Sequence, residues 1–362
     1  MATRLTQPTR LGTLNLQNRI VMAPMTRSRA EGNLPNTLIR DYYAQRASAG
    51  LIISEGTAPA PDGLGYARIP GLFTQAQARA WREVAQAVHA GGAKFFIQLM
   101  HVGRVGHPAN LPAGAQLVAP SAIAAAGQVW TDSAGMQAHP VPKAMDAADL
   151  AAARDSFAAS AALAVEHGVD GVELHAANGY LLAQFLNPRS NQRTDAYGGS
   201  GENRRRFLLE TVDATIAAIG KDRVGVRLSP FNPFNDLEAN FDGEREEFLA
   251  TVAALAQRGI AYLHLGGGTV PADLLPAVRE AFPGTLILNG GYDGARAEAD
   301  LAAGLADLIA FGRPFVGNPD LPERLRTGAP IADLDAATLY TPGAVGFTDY
   351  PRLGAVEAAL AT

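Results

Sequence analysis

The sequence predicts an α/β fold, a single (β/α)8 TIM barrel over residues 1–362, on three observations. Short β-branched or apolar runs alternate with longer Ala- and Leu-rich stretches of helical period, which is how βα units around a parallel sheet read. There are eight such runs, and no linker, repeat or low-complexity tract divides them. Eight unbroken units favour a closed barrel over a doubly wound sheet.

The runs, in order, are RIVMAPM ending at Met25, LIISEGT from Leu51, KFFIQLM from Lys94, GVELH to His175, VGVRLSP from Val224, YLHLGGG from Tyr262, LILNGG from Leu286 and DLIAFGR from Asp307. Each ends in polar or Gly-rich residues. Between them, residues 74–92 carry a Thr N-cap and terminal glycines, and 146–168 open on Asp and close on Gly, so both predict helices. Two stretches break the alternation, 101–145 after the third strand and 231–244 after the fifth. Both read as long βα loops; the first is long enough to hold a β-hairpin lid over a barrel mouth.

Composition excludes several function classes. A formal net charge of -5 gives no electrostatic reason to bind nucleic acid or an anionic membrane. No apolar run reaches the roughly 18 residues of a membrane span, and MATRLTQPTRLG lacks the apolar core of a secretory signal, so the expected location is the cytoplasm. The chain has no cysteine, which excludes disulfides, thiolate nucleophiles, Cys-ligated zinc and iron–sulfur clusters.

In a barrel, chemistry belongs at the carboxyl ends of the strands. Glu173 and His175 share one strand face while Val172 and Leu174 share the other, so His175 can be presented at the mouth. A helical turn after His175 would bring Asn178, three residues on, to the same side; both can donate to a single oxygen, with Tyr180 approaching from beside them. Taken alone, this segment reads better as His175 and Asn178 satisfying backbone groups at a strand end, with Tyr180 packing. Gln98, Arg227 and Thr26 also fall at strand ends, and NGGY and FGRPF place Gly-rich turns after the last two strands, where barrels hold phosphate.

Together these stretches resemble the Old Yellow Enzyme family of FMN-dependent alkene reductases over essentially the whole chain. The resemblance rests on NRIVMAPMTRSRA (18–30), YYAQRASAGLIISEGT (42–57), FIQLMHVGR (96–104), the run from Gly171 to Phe207, VRLSP (226–230), AFGRPFVGNPDL (310–321) and GFTDYP (346–351). It implies tightly bound, non-covalent FMN across the barrel top, reduced by NADH or NADPH. Pro24, Met25 and Thr26 would follow one edge of the ring, Gly56 and His175 would sit close to it, and Gln98 and Arg227 would meet its pyrimidine end. Arg227 has an alternative role, pairing with Glu173 inside the barrel. Gly290, Gly291, Gly312 and Arg313 would hold the phosphate. His175 and Asn178 would grip the oxygen of an activated alkene and Tyr180 would protonate its α-carbon. Tyr66 and Tyr340 match positions that wall the substrate pocket. Met100 departs from the tryptophan of many relatives and predicts a roomier pocket.

Other readings fit less well. A Schiff-base lyase needs a lysine at a strand end, whereas Lys94, Lys143 and Lys221 fall at a strand start, in a loop and after a helix. A metal hydrolase needs companions that His101, His107 and His264 lack at recognisable spacing. The iron–sulfur dienoyl reductases need cysteines. A flavin-storage protein has no use for a proton donor such as Tyr180. The expected partners are small activated alkenes, with monomer and homodimer both open.

Overall fold

Eight parallel strands close on themselves in chain order: β1 (Ile20–Met22), β2 (Leu51–Ile53), β3 (Lys94–Leu99), β4 (Gly171–Ala176), β5 (Val224–Leu228), β6 (Tyr262–Leu265), β7 (Thr285–Asn289) and β8 (Leu308–Phe311), with β8 pairing back onto β1. The computed structural model describes residues 3–266 and 268–354; the remaining ends of the expected 1–362 span, and Gly267 of the sixth strand run, lie outside them. Between and after the strands run α1 (Thr37–Gln45), α2 (Gln75–Ala90), α3 (Ala147–Glu166), α4 (Gly201–Ile219), α5 (Glu244–Arg258), α6 (Leu275–Ala281), α7 (Gly294–Ala302) and α8 (Leu321–Thr327). Except for β4, which runs one residue past its predicted end, the strands are shorter than the apolar runs that predict them, because the polar ends leave the ladder and become the loops of the barrel mouth.

Local chemistry explains the helix ends. Thr74 caps α2 in a reciprocal box, its hydroxyl accepting from the Gln77 N–H while the Gln77 side chain accepts from the Thr74 N–H. Asp146 and Asp149 do the same for α3. Such a cap contributes about 1 kcal/mol, enough to fix where a helix begins. The buried face of α2, Ala78, Trp81, Val84, Ala85 and Val88, keeps helical spacing and packs on the barrel wall.

Each strand divides its side chains between two environments. Val172, Leu174 and Ala176 of β4 join the outer core with Phe157 of α3 and Leu208 of α4, whereas Glu173 and His175 point the other way. The lower interior is filled by Val21, Leu51, Ile53, Phe96, Tyr262 and Ile287, together with Leu11 and Leu16 from an N-terminal hairpin, Thr9–Leu11 with Leu14–Leu16. The barrel is therefore apolar at its base and polar towards its mouth.

The long segment after β3 carries the expected hairpin, Gln128–Thr131 antiparallel to Gly135–Ala138. Residues 231–243, after β5, form no helix or strand. The chain's later part returns to the start of the barrel. Arg27 and Arg29, both buried, donate to the carbonyls of Thr338, Leu339, Gly343, Val345 and Gly346. Phe347 stacks on Tyr42 at 4.1 Å between ring centroids, with both guanidinium groups about 5 Å from its face. No helix among the described residues is long and apolar enough to cross a membrane.

Candidate active site

Two cavities open at the carboxyl ends of the strands. One, of about 510 Å³, is lined by Pro24, Met25, Arg227, Gly290, Gly291, Gly312 and Arg313, among others. The second, of about 870 Å³, is lined by Thr26, Tyr66, Tyr180, Phe234, Tyr340 and the hairpin. Every phosphate-site residue expected from the sequence thus falls in the first, and Thr26, Tyr66, Tyr180 and Tyr340 in the second.

A buried polar layer forms the floor. Gln98 and Glu173 lie opposite each other in the register of β3 and β4, as do His175 with Arg227 and Arg227 with His264 across β4, β5 and β6. The Gln98 amide donates to Glu173 Oε1 at 2.7 Å, and His264 Nδ1 meets Glu173 Oε2 at 2.8 Å. Burial alone would push the Glu173 carboxyl up, but His264, Arg227 and Gln98 together hold it below the usual range. Because a carboxylate only accepts, Gln98 must spend its NH2 on Glu173, which leaves its carbonyl as the end free to face a ligand. The alternative role for Arg227 is not what the structure builds: its closest polar contact is Asn289 Oδ1 at 3.5 Å, and its buried Nε has no hydrogen-bond partner among the described residues.

The turn after β4 departs from the sequence expectation. The chain does not enter a helix at His175; Asn178 and Gly179 take left-handed φ of 55° and 75°, and a short helix, Leu181–Leu186, begins after Tyr180. The segment after β5 enforces this. A Cβ at Gly179 would lie 2.7 Å from the Asn235 Cβ, and the Asn235 amide donates to the Asn178 carbonyl at 2.8 Å.

This turn fixes the polarity of both candidate donors. His175 Nδ1 accepts from the Ala177 N–H at 3.3 Å, and burial, then the charges of Arg227 and His264, push its pKa well below the usual value, so it is neutral with its proton on Nε2. The Asn178 N–H donates to Ser229 Oγ at 2.8 Å and its side-chain oxygen accepts from Asn232 at 3.3 Å, leaving the NH2 outermost. The Tyr180 ring lies 4.8 Å from that of His175, its phenol 3.2 Å from that of Tyr66, and burial raises its pKa, so it keeps its proton. Asn232, Asn235, Ser229 and Asn289 were not expected as site residues, although all four lie in stretches the sequence singled out: Ser229 in VRLSP, Asn289 at the start of NGGY, and Asn232 and Asn235 in the 231–244 loop.

The remaining candidates place as follows. Gly56 packs so closely on Met100 that a Cβ would sit 2.5 Å from its sulfur. Met100 is buried with Leu64, Ile69 and Tyr180, is not among the cavity-lining residues, and backs Gly56. Behind Thr26, the buried Glu55 accepts from the Arg27 N–H at 3.3 Å, and burial pushes its carboxyl up to about 7. Gly291, with a φ of 63°, takes a conformation that side chains disfavour. Arg313 makes no hydrogen bond or ion pair among the described residues while lining the smaller cavity. These residues fit FMN: a free carbonyl at Gln98 suits the ring N3–H, the unpaired Arg227 Nε suits its O2 side, and Arg313 with the glycines suits a phosphate.

A polar barrel mouth with a chamber of about 510 Å³ lined by glycines and Arg313, beside a roomier and largely apolar one, is the arrangement of a cofactor-dependent barrel enzyme. Residues 4–331 match the model of the NADH:flavin oxidoreductase / NADH oxidase family. The chain is 40% identical to 12-oxophytodienoate reductase 1 of Oryza sativa subsp. japonica over 97% of this chain and 93% of that one. It is 40% identical to a probable flavin mononucleotide-dependent alkene reductase of Leishmania infantum over 95% and 96% of the two chains. Morphinone reductase in complex with tetrahydroNAD superposes with a TM-score of 0.93 at 44% identity, covering 97% of this chain and 98% of that one. The chain belongs to the NADH:flavin oxidoreductase / NADH oxidase family, the grouping that the Old Yellow Enzyme resemblance implied.

Proposed function

We propose that His175, Asn178 and Tyr180 carry the chemistry of this FMN-dependent alkene reductase, and that its substrates are small activated alkenes: enones, enals, maleimides and nitroalkenes. FMN, when bound, supplies two-electron hydride transfer, in from a nicotinamide and out to the β-carbon of the alkene. Gln98 and Arg227 would hold its pyrimidine end, with Pro24, Met25, Thr26 and Gly56 along the ring and Gly290, Gly291, Gly312 and Arg313 at the phosphate.

One observation carries the reading. The partners of His175 and Asn178 take their acceptor atoms, so that only N–H donors remain for a ligand oxygen, and Tyr180, whose ring lies against that of His175, lines the larger cavity. Two donors suit an oxygen that gains negative charge as hydride arrives at the β-carbon, and their fixed orientation costs no reorganisation in the transition state. Tyr180, protonated and beside them, can then deliver its proton to the α-carbon and recover one from solvent. The fixed charge of Arg227 would favour the anionic reduced cofactor.

The test is a titration with a para-substituted phenol, whose phenolate oxygen resembles the charged oxygen of the reacting alkene. The parent, purified yellow with its flavin oxidised, should give a long-wavelength charge-transfer band, and in a separate anaerobic experiment NADH or NADPH should bleach it. His175→Ala with Asn178→Ala should abolish it. A double variant with the same band and affinity refutes the donor pair; a colourless protein that ignores added FMN refutes the cofactor site.

A further inference from the structure

Exposed apolar side chains are expected singly on a protein surface; here they gather. Trp130 and Met136 on the hairpin, Phe234 in the segment after β5 and Tyr340 in the C-terminal segment are each between 52% and 61% exposed, and all four line the larger cavity. They come from three separate parts of the chain and surround the opening that leads down to Thr26, Tyr66 and Tyr180.

The rim is held in place. The Trp130 indole N–H donates to Asp132 Oδ1 at 3.0 Å, and Asp132 pairs with Arg68. Arg68 also donates to the Ser28 carbonyl at 2.9 Å and the Tyr340 carbonyl at 3.0 Å, tying hairpin, first loop and C-terminal segment together. An indole fixed by its own N–H offers a ready apolar surface at little entropic cost on binding. Among the described residues lining this cavity, Arg68 and Asp132 are the charged ones, and each is engaged with the other.

Size points the same way. Ligand pockets span roughly 300–1,000 Å³ for drug-sized molecules. At about 870 Å³ this cavity reaches from Thr26, on the flavin side, out to all four rim residues, so it continues beyond the place of the reacting carbons. We infer that the rim is a second substrate subsite, formed by Trp130, Met136, Phe234 and Tyr340, which takes an uncharged apolar body, a long alkyl chain or a fused ring system, attached to the activated alkene at a distance from its reacting carbons. The inference rests on the reading of the cavity as the alkene site.

Two properties of the chain make it testable. It has no cysteine, so maleimides cannot alkylate protein thiols, and of its two tryptophans Trp81 is buried in the core while Trp130 stands at the rim. In the series N-ethyl-, N-butyl- and N-hexylmaleimide, kcat/KM should rise about two- to fourfold per methylene. The rise should lie in KM rather than kcat, since the tail contributes equally before and during hydride transfer. Trp130→Ala with Met136→Ala, checked to retain the flavin spectrum, should flatten the series. N-hexylsuccinimide, which lacks the double bond, should shift Trp130 emission to shorter wavelength in the protein as purified, and Met136→Ala should weaken that binding. A parent that reduces all three maleimides with equal KM overturns the subsite, and so does emission that does not move. An inactive protein whose Trp130 emission still shifts sinks the reductase reading while supporting the apolar subsite.

Discussion

The floor of the barrel mouth and its rim are built by opposite rules. The floor, Gln98, Glu173, His175, Arg227 and His264, sits on four adjacent strands, is buried throughout, and has its donor and acceptor directions set by neighbours. The rim, Trp130, Met136, Phe234 and Tyr340, sits outside the barrel strands and is apolar and half open to water. The contrast teaches where tolerance lies. A buried polar layer allows few substitutions, because each removed partner leaves another group unpaired in a low-dielectric interior. An exposed apolar rim can change residue by residue with little effect on folding.

The largest expected effect separates the chemistry from both layers. Tyr180→Phe keeps the ring but removes the proton. For 2-cyclohexenone the reoxidation of reduced flavin should slow by up to about 10²–10⁴-fold, the range for a positioned general acid. Reduction by nicotinamide should be nearly unchanged, and a nitroalkene should suffer less, because its stabilised nitronate can be protonated by water. Stopped-flow absorbance with both substrates checks this; full-rate enone turnover would return Tyr180 to a packing role.

Next comes the floor. Glu173→Leu leaves Gln98 and His264 without their shared carboxylate and Arg227 without a nearby countercharge, and removing one member of a buried charged set typically costs about 3–5 kcal/mol. Urea unfolding should show that loss together with weaker FMN retention. An equally stable variant would mean that Glu173 merely fills space.

A third effect is pH-dependent, and two buried groups act in opposite senses. His175 is neutral when folded, so the unfolded chain binds more protons below about pH 6.5, and stability falls on that side as pH drops. Glu55, pushed up to about 7, holds a proton in the folded state that the unfolded chain loses above about pH 4.5, so stability falls as pH rises between those values. Unfolding curves at pH 5, 6, 7 and 8 should show that Glu55→Gln removes the second decline and keeps the first. If both variants follow the same pH profile, Glu55 is not the group responsible.

The smallest effect belongs to the rim. Asp132→Asn weakens a pair whose acid is half exposed, which places its contribution at roughly 0–1 kcal/mol. Melting should change little, while amide exchange across 128–138 should accelerate as the hairpin loses its tie to Arg68. Slow exchange in the variant would show that strand pairing alone holds the hairpin.

The same contrast decides what could be read before the structure. Strand order, the capped helices at 75–90 and 147–166, and the Gly-rich ends of β7 and β8 follow local rules, and the structure places them where the residues say. His175 and Tyr180 were apparent because they lie on or just after an unmistakable strand. The left-handed turn at Asn178 was not, since it is set by Asn235, more than fifty residues away, against Gly179. Nor was the tie from Arg68 to Asp132, or the absence of Met100 from the cavity wall: long side chains on loops choose partners by tertiary distance, which periodicity does not encode.

The arginine pair beneath the C-terminal segment bears on how the protein is made. Arg27 and Arg29 leave the ribosome with the first strand, yet the carbonyls they meet lie about 310 residues later. The match to the family model ends at residue 331, before these carbonyls, although a relative aligns over 97% of the chain. A nascent chain can close its barrel, whose last strand ends at Phe311, and still lack one wall of the pocket, with two cations facing solvent until residues 338–346 emerge. A protein stopped at residue 331 should fold and bind flavin but bind long-tailed substrates weakly, and a separately supplied peptide covering 332–354 should restore them. Residues 337–342 thus act as a late step of assembly, completing the wall of the substrate pocket only after the barrel that they close over has been made.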